Sequence, residues 1–382
     1  MAKLPRWADL VLVPLISLIL AALVSALVLL AIGQSPMQAL SVMVEGALGS
    51  ASGWGYTLYY ATSFIFTGLG VIVAFHAGLF NIGGEGQAQL GGLGVALCCL
   101  FLPWPHWTLA LVGASLAAAL FGAAWAAIPA WLQAKRGSHI VITTIMFNYI
   151  AAALLIYILG EILRPVGSMD PASARFPAAI GLPHFHEMPI LRDLFVKYGP
   201  DGAVKLNAQG LPVYSRVPAN VTFFLSLLAA FGVWVLLWHT RLGYEMRAFG
   251  KQEKAARYAG ISPFKIIMVA MLLSGALSGL MAINNVMGQA ERLLQNSAEG
   301  AGFIGIAVAL MGRNHPVGVV LAAILFGFLY QGGAALGLNT TIPIELRTVV
   351  QGLVILFTGA LNYMVTMMLA WVFSLGRARG AA

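Results

Sequence analysis

Apolar runs separated by short polar breaks dominate this chain. A bilayer core about 30 Å thick needs roughly 20 apolar helical residues to cross it. Runs of that kind cover Leu10–Ile32, Leu58–His76, Gln87–Leu102, Thr108–Leu132, Ile140–Gly160, Asn220–Trp238, Phe264–Asn285, Val317–Leu336 and Thr348–Val372. Phe303–Met311 is shorter, at nine residues, and crosses only if its flanks extend it. The pattern predicts an all-α, polytopic integral membrane protein with about ten transmembrane helices. An even number puts both termini on the cytoplasmic side. Residues 1–382 then form a single transmembrane domain.

Two polar stretches interrupt the pattern. Glu161–Ala219 is long, rich in proline, and carries five acids against six basic residues. Residues 161–219 are placed as an extracytoplasmic segment. Arg241–Ser262 is charged, within a cytoplasmic loop at 239–263. Lys251 to Tyr258 reads as a short helix in which Glu253 and Arg257 form an i,i+4 pair. Gly260 suits a left-handed helix end shortly before Pro263. This stretch is either a handle that another protein pushes or an ordinary basic loop.

Composition fits the same picture. Charged residues make up 9% of the chain and hydrophobic ones 60%. A soluble domain would carry about 25% charged residues. The net charge of +8 is no sign of nucleic acid: 13 of the 21 Lys and Arg lie in segments placed inside, the usual cytoplasmic bias. Cys98 and Cys99 are adjacent in an apolar run and read as small apolar side chains.

The candidate chemistry is sparse. GLFNIGGEGQ, Gly78 to Gln87, has too much glycine for a regular lipid-facing helix. It contains Glu85, the one acid inside an apolar region, with Asn81, Gln87 and Gln89 nearby. A charge at that depth needs a partner or water. Either the segment lines a polar pathway, or Glu85 caps the N-terminus of a neighbouring helix. Thr144 and Asn148 share one helix face, as do Ser274 and Ser278, with Asn284 and Asn285 further on. Interhelical hydrogen bonding accounts for such groups as readily as a pathway does. The His184–Glu187 run HFHE falls short of a metal site. No nucleophile elbow, zinc-protease helix, CxxC or Walker A motif occurs, so any ATP is hydrolysed elsewhere.

Four motifs in order resemble one family: GLFNIGGEGQ, VITTIMFNYIA at Val141–Ala151, RAFGKQEKAARYAGIS at Arg247–Ser262, and GFIGIAVALMGRNHPVG at Gly302–Gly318. They are similar to ABC-transporter permeases of the branch that imports ribose, simple sugars and branched-chain amino acids. FNIGGEGQ with GRNHP resembles the nucleoside and simple-sugar permeases served by a basic-membrane-protein-type lipoprotein. An acid often found before the VITT-like run is absent here, where Ile140 follows His139.

The resemblance implies a multi-pass importer subunit in a bacterial cytoplasmic (inner) membrane. It implies three partners: an ATP-binding subunit, an extracytoplasmic substrate-binding protein, and a second permease chain in a homo- or heterodimer. No cofactor is expected on this chain, ATP and Mg residing on the ATPase. Nucleosides are the first choice of solute and monosaccharides the second. Asn81, Glu85, Gln87, Asn148 and Asn284 are the candidates for the pathway. Arg247, Lys251, Glu253, Lys254, Arg257, Tyr258 and Gly260 are the candidates for coupling to the ATPase. The rival reading is an ion-coupled secondary transporter, which would ordinarily need more intramembrane acids than Glu85 alone.

Overall fold

The computed structural model describes residues 12–198, 203–339, 346–356 and 367–369. Among them there are helices and isolated bridges but no strands. Contacts divide the chain into two compact units, Met1–Ser50 with Phe328–Ala382, and Ala51–Gly327.

In the smaller unit, α1 (Val13–Ala31) is followed by α2 (Pro36–Leu48), bent from it by 119°. The apolar runs read in the sequence do not include α2. Its start is nevertheless written locally: Gly33 takes φ 76°, the Ser35 hydroxyl accepts from Gln38 N–H, and Pro36 opens the helix. A short helix α13 (Leu346–Ile355) also belongs here. Lys3, Arg6, Arg377, Arg379 and most of the tenth apolar run lie outside the described residues.

The larger unit is built around α3 (Ala51–His76), whose span is 83% buried and therefore touches protein on all sides. Around it stand α4 (Gly84–Phe101), α5 (Trp107–Arg136), α6 (Ile140–Tyr157), α7 (Thr222–His239), α10 (Pro263–Ala282), α11 (Ala301–Met311) and the first part of α12 (Pro316–Asn339). Small residues let α5 and α10 meet backbone to backbone. A Cβ at Gly122 would lie 2.3 Å from the Gly275 carbonyl, and one at Gly279 the same distance from that of Ala118. This is the Gly-xxx-Gly logic of membrane helix pairs, where van der Waals contact replaces the hydrophobic drive.

Among the described residues, six helices are long and apolar enough to cross a membrane, or seven if α1 and α2 together make one span. The count expected from the sequence was about ten. The shortfall has identifiable sources. Glycine and polar residues dilute α4, α11 has only 11 residues, and the tenth run is mostly undescribed.

Two further departures matter for function. The charged loop holds two helices, α8 (Arg241–Lys251) and α9 (Glu253–Tyr258), separated at Gln252. The single helix expected from the sequence began only at Lys251. Instead the Thr240 hydroxyl accepts from Gly243 N–H at 3.0 Å, and α8 buries Met246 and Phe249. Secondly, α10 continues as a π-helical stretch over Ile283–Ala290, which the sequence reading gave largely to an outer loop.

Residues 163–198 and 203–219 form turns, short 3₁₀ segments and isolated bridges around a small apolar cluster of Phe185, Phe195, Val217 and Ala219.

Candidate functional site

The polypeptide breaks between α3 and α4. Gly78 turns the chain at φ 71°, a left-handed conformation that suits glycine. The backbone from Ala77 to Gly83 leaves the helical ladder, so side chains must satisfy its polar groups. Asn81 does much of this. Its Oδ1 accepts from Gly83 N–H at 2.9 Å, and its Nδ2 donates to Gln87 Oε1 at 2.9 Å and Ser274 Oγ at 2.8 Å. From α6, Asn148 donates Nδ2 to the Ile82 carbonyl and accepts from Gly86 N–H, both at 2.9 Å. Thr144, one turn earlier, accepts from Ile82 N–H at 3.4 Å.

Glu85 faces the opposite way, to α11. Its Oε1 accepts from Gly300 N–H and its Oε2 from Gly302 N–H, each at 2.9 Å. A carboxylate at a helix N-terminus meets unpaired N–H groups and the positive end of the macrodipole. Of the two sequence readings of Glu85, helix capping is the one this geometry displays.

The structure thus brings Asn81, Glu85, Gln87 and Asn148 together at the link between α3 and α4. Asn284 belongs to a second network, on the π-helical extension of α10. Its Nδ2 donates to the Tyr59 carbonyl at 3.0 Å and Ser63 Oγ at 2.9 Å, and its Oδ1 accepts from Thr222 Oγ1 at 2.9 Å and Asn220 Nδ2 at 3.2 Å. Asn285 accepts from Ser63 Oγ at 2.8 Å and donates to the Ser297 carbonyl at 2.9 Å. Tyr59, Ser63, Asn220 and Thr222 were missed in the sequence. They stand at or near span starts, where polar residues are common and carry no distinguishing spacing.

The coupling candidates divide into two groups. Lys251, Glu253, Lys254, Arg257, Tyr258 and Gly260 are exposed, Tyr258 at 95%. Glu253 and Arg257 pair as expected, and Gly260 ends α9 at φ 79°. Arg247 points inward instead, its guanidinium 6.0 Å from the centre of the Trp238 ring. The same ring meets His76 at 5.3 Å and His315 at 5.0 Å. Beside it, Gly250 abuts the break itself. A Cβ there would lie 2.3 Å from the His76 carbonyl and 2.7 Å from Gly78 N. No group of three or more metal-ligating side chains occurs among the described residues.

Several long apolar helices, with a glycine-rich link between α3 and α4 held by polar side chains inside the bundle, define a multi-pass membrane protein. Comparison with known proteins sharpens this. The family model for the permease component of branched-chain amino acid transport systems matches residues 53–359, and the chain belongs to that family. It is 35% identical to the guanosine ABC transporter permease protein NupP of Bacillus subtilis, over 91% of this chain and 93% of NupP. It is 33% identical to the glucose ABC transporter permease protein TsgB13 of Haloferax volcanii, over 90% and 86% of the two chains. Identity to the nucleoside ABC transporter permease protein NupB of Lactococcus lactis is 31%, over 94% and 93%. No solved structure matches the chain.

Proposed function

We propose that this chain is the membrane-spanning subunit of an ABC importer for nucleosides in a bacterial cytoplasmic membrane. The observation that carries the solute is the likeness, over more than nine-tenths of the chain, to two permeases named for guanosine and nucleosides. A monosaccharide is the second reading, because the glucose permease is about as similar.

In this reading an ATP-binding subunit hydrolyses ATP with its own Mg, and no cofactor resides on this chain. The exposed residues of α9, with Lys251, meet that subunit. Arg247 and Gly250 carry its movement to Trp238 and to the break after His76. A substrate-binding protein delivers solute at the side covered by residues 161–219. A second permease chain, identical or different, completes the pathway. The ten-span count and cytoplasmic termini belong to the same proposal. Among the pathway candidates, Asn81, Glu85, Gln87 and Asn148 form a gate that the ATPase stroke rearranges, and Asn284 braces the opposite end.

Two measurements test the proposal. Gentle extraction of the tagged chain from its own membranes, followed by mass spectrometry, should recover an ATP-binding subunit. A chain that reproducibly came out alone would favour ion-coupled uptake. Cells carrying the transporter should then accumulate labelled guanosine faster than cells lacking it. Accumulation of glucose instead would select the second reading.

A further inference from the structure

The asparagines and Glu85 of the two networks are consumed by the protein's own hydrogen bonds. Asn81, Asn148, Asn284 and both oxygens of Glu85 all have protein partners. Three enclosed atoms nearby do not: Oε1 of Gln89, Oγ of Ser278 and Oγ of Ser297. Their residues are 6%, 1% and 9% exposed. Buried polar atoms in native proteins are nearly always paired, so each exception calls for an explanation.

The three exceptions gather along α4. Glu85, Gln89 and Gly92 follow i, i+4, i+7 spacing and share one face of that helix. A Cβ on Gly92 would lie 3.3 Å from Ser297 Oγ, and one on Gly84 would lie 3.5 Å from Ser278 Oγ. Glycine at both places leaves the two hydroxyls facing bare helix. Ser278 also faces Gly70 of α3, where a Cβ would come within 2.7 Å of its Oγ. Ser297 is tied by its carbonyl to Asn285, and so to the Asn284 network. The unpartnered atoms therefore run from near the break towards that second network.

We propose that Gln89, Ser278 and Ser297 are solute-contacting groups, and that they recognise the hydroxyls of a neutral solute such as the ribose of a nucleoside. This rests on the importer reading above and moves solute contact away from the residues that hold the break. The chemistry selects the solute class. An amide oxygen needs a donor, and a serine hydroxyl can give or take a hydrogen bond. A sugar hydroxyl does both, without a charge to desolvate. Glu85 on the same helix face is already engaged by α11 and has no free oxygen for a cation. In the conformation described here the three groups are enclosed; solute reaches them when α4 and its neighbours separate.

The test uses the whole transporter complex with Gln89→Leu, Ser278→Ala and Ser297→Ala, made singly. Removing an unpaired buried polar group should leave the melting temperature of the complex unchanged or higher. Uptake of labelled guanosine should nevertheless fall, about tenfold for Gln89→Leu. Ser278→Thr, which keeps a hydroxyl, should retain more uptake than Ser278→Ala. The parent complex should transport 2′,3′-dideoxyguanosine poorly, and the three variants should reduce that residual rate little. Guanosine uptake equal to the parent in all three variants would overturn the proposal. So would a lowered melting temperature in step with lost uptake, which would make these groups structural. If the parent moves no nucleoside at all, it is the nucleoside reading that fails, and the same variants are then read with glucose, another neutral polyhydroxyl solute.

Discussion

Glu85 and Gly302 fit each other from both sides. The Glu85 Oε2 accepts the Gly302 N–H at 2.9 Å, and a Cβ on Gly302 would lie 2.1 Å from the Glu85 backbone nitrogen. The carboxylate reaches the end of α11 only because residue 302 has no side chain. One contact therefore fixes the start of α4 against the start of α11. Glu85→Gln keeps one accepting oxygen but turns an amide N–H₂ towards the second donor. An unpaired buried N–H costs roughly 1–3 kcal/mol. Thermal unfolding of the purified complex should show that loss. Gly302→Ala should be at least as harmful, since its methyl group meets backbone. Melting temperatures unchanged in both variants would mean the two helix ends are not held this way.

Asn148 carries a comparable load from α6. Asn148→Leu preserves size and leaves both the Ile82 carbonyl and the Gly86 N–H without partners, so a loss of about 2–4 kcal/mol is expected for the pair. Thr144→Val gives up the long 3.4 Å contact to Ile82 N–H and the hydroxyl's bonds to the Ile140 and Val141 carbonyls of its own helix, which the helix ladder already serves, and should cost less. Denaturant or thermal titration of both variants in the same detergent checks the ranking. Equal losses would place the support for the break elsewhere.

Much of this arrangement was legible before any coordinates. The glycine-rich segment announces a break, and an acid with several amides beside it announces polar groups that must be satisfied. What could not be read was where each side chain turns. Glu85 and Asn148 are both polar residues in apolar surroundings, yet one caps a different helix and the other braces the loop. That choice depends on Gly300 and Gly302, more than 200 residues away in sequence. Helix α8 escaped for another reason. Its glycines are packing residues set against the Leu236 and His76 carbonyls, a role that residue type alone does not announce. The π-helical end of α10 leaves no periodic signature in a stretch where polar and apolar residues are mixed.

Residues 161–219 should respond to acid through His186. Burial lowers the pKa of its imidazole below the ordinary value, the Glu187 carboxylate opposes this, and the neighbouring His184 and Arg216 lower it further. Val217 N–H donates to His186 Nδ1 at 3.3 Å, which requires that nitrogen to be unprotonated. The sign follows: the folded segment favours neutral His186, so its stability is full above the unfolded pKa of about 6.5 and declines as pH falls below it. The protection factor of Val217 N–H, that is, its exchange relative to the intrinsic rate at each pH, should fall between pH 7.5 and pH 5.5. His186→Gln should remove most of that fall. A protection factor that stayed flat across the range in the parent would remove His186 as the responsible group.

Gly250 offers the sharpest test of how the charged segment speaks to the membrane. It is where α8 touches the link after α3, with the His76 carbonyl and Gly78 nitrogen both inside the space a Cβ would need. Gly250→Ala forces the two backbones apart by a fraction of an ångström or more, while the exposed face of α9 is untouched. The ATPase subunit should therefore still bind, and ATP should still be hydrolysed. The stroke would arrive at a displaced break, so guanosine moved per ATP hydrolysed should fall several-fold. Gly260→Ala serves as the control. It strains a left-handed residue by roughly 1 kcal/mol but has nothing within 4 Å to displace. A Gly250→Ala complex with the parent's ratio of transport to hydrolysis would show that movement reaches the break by another route, with the Arg247–Trp238 contact the next to examine.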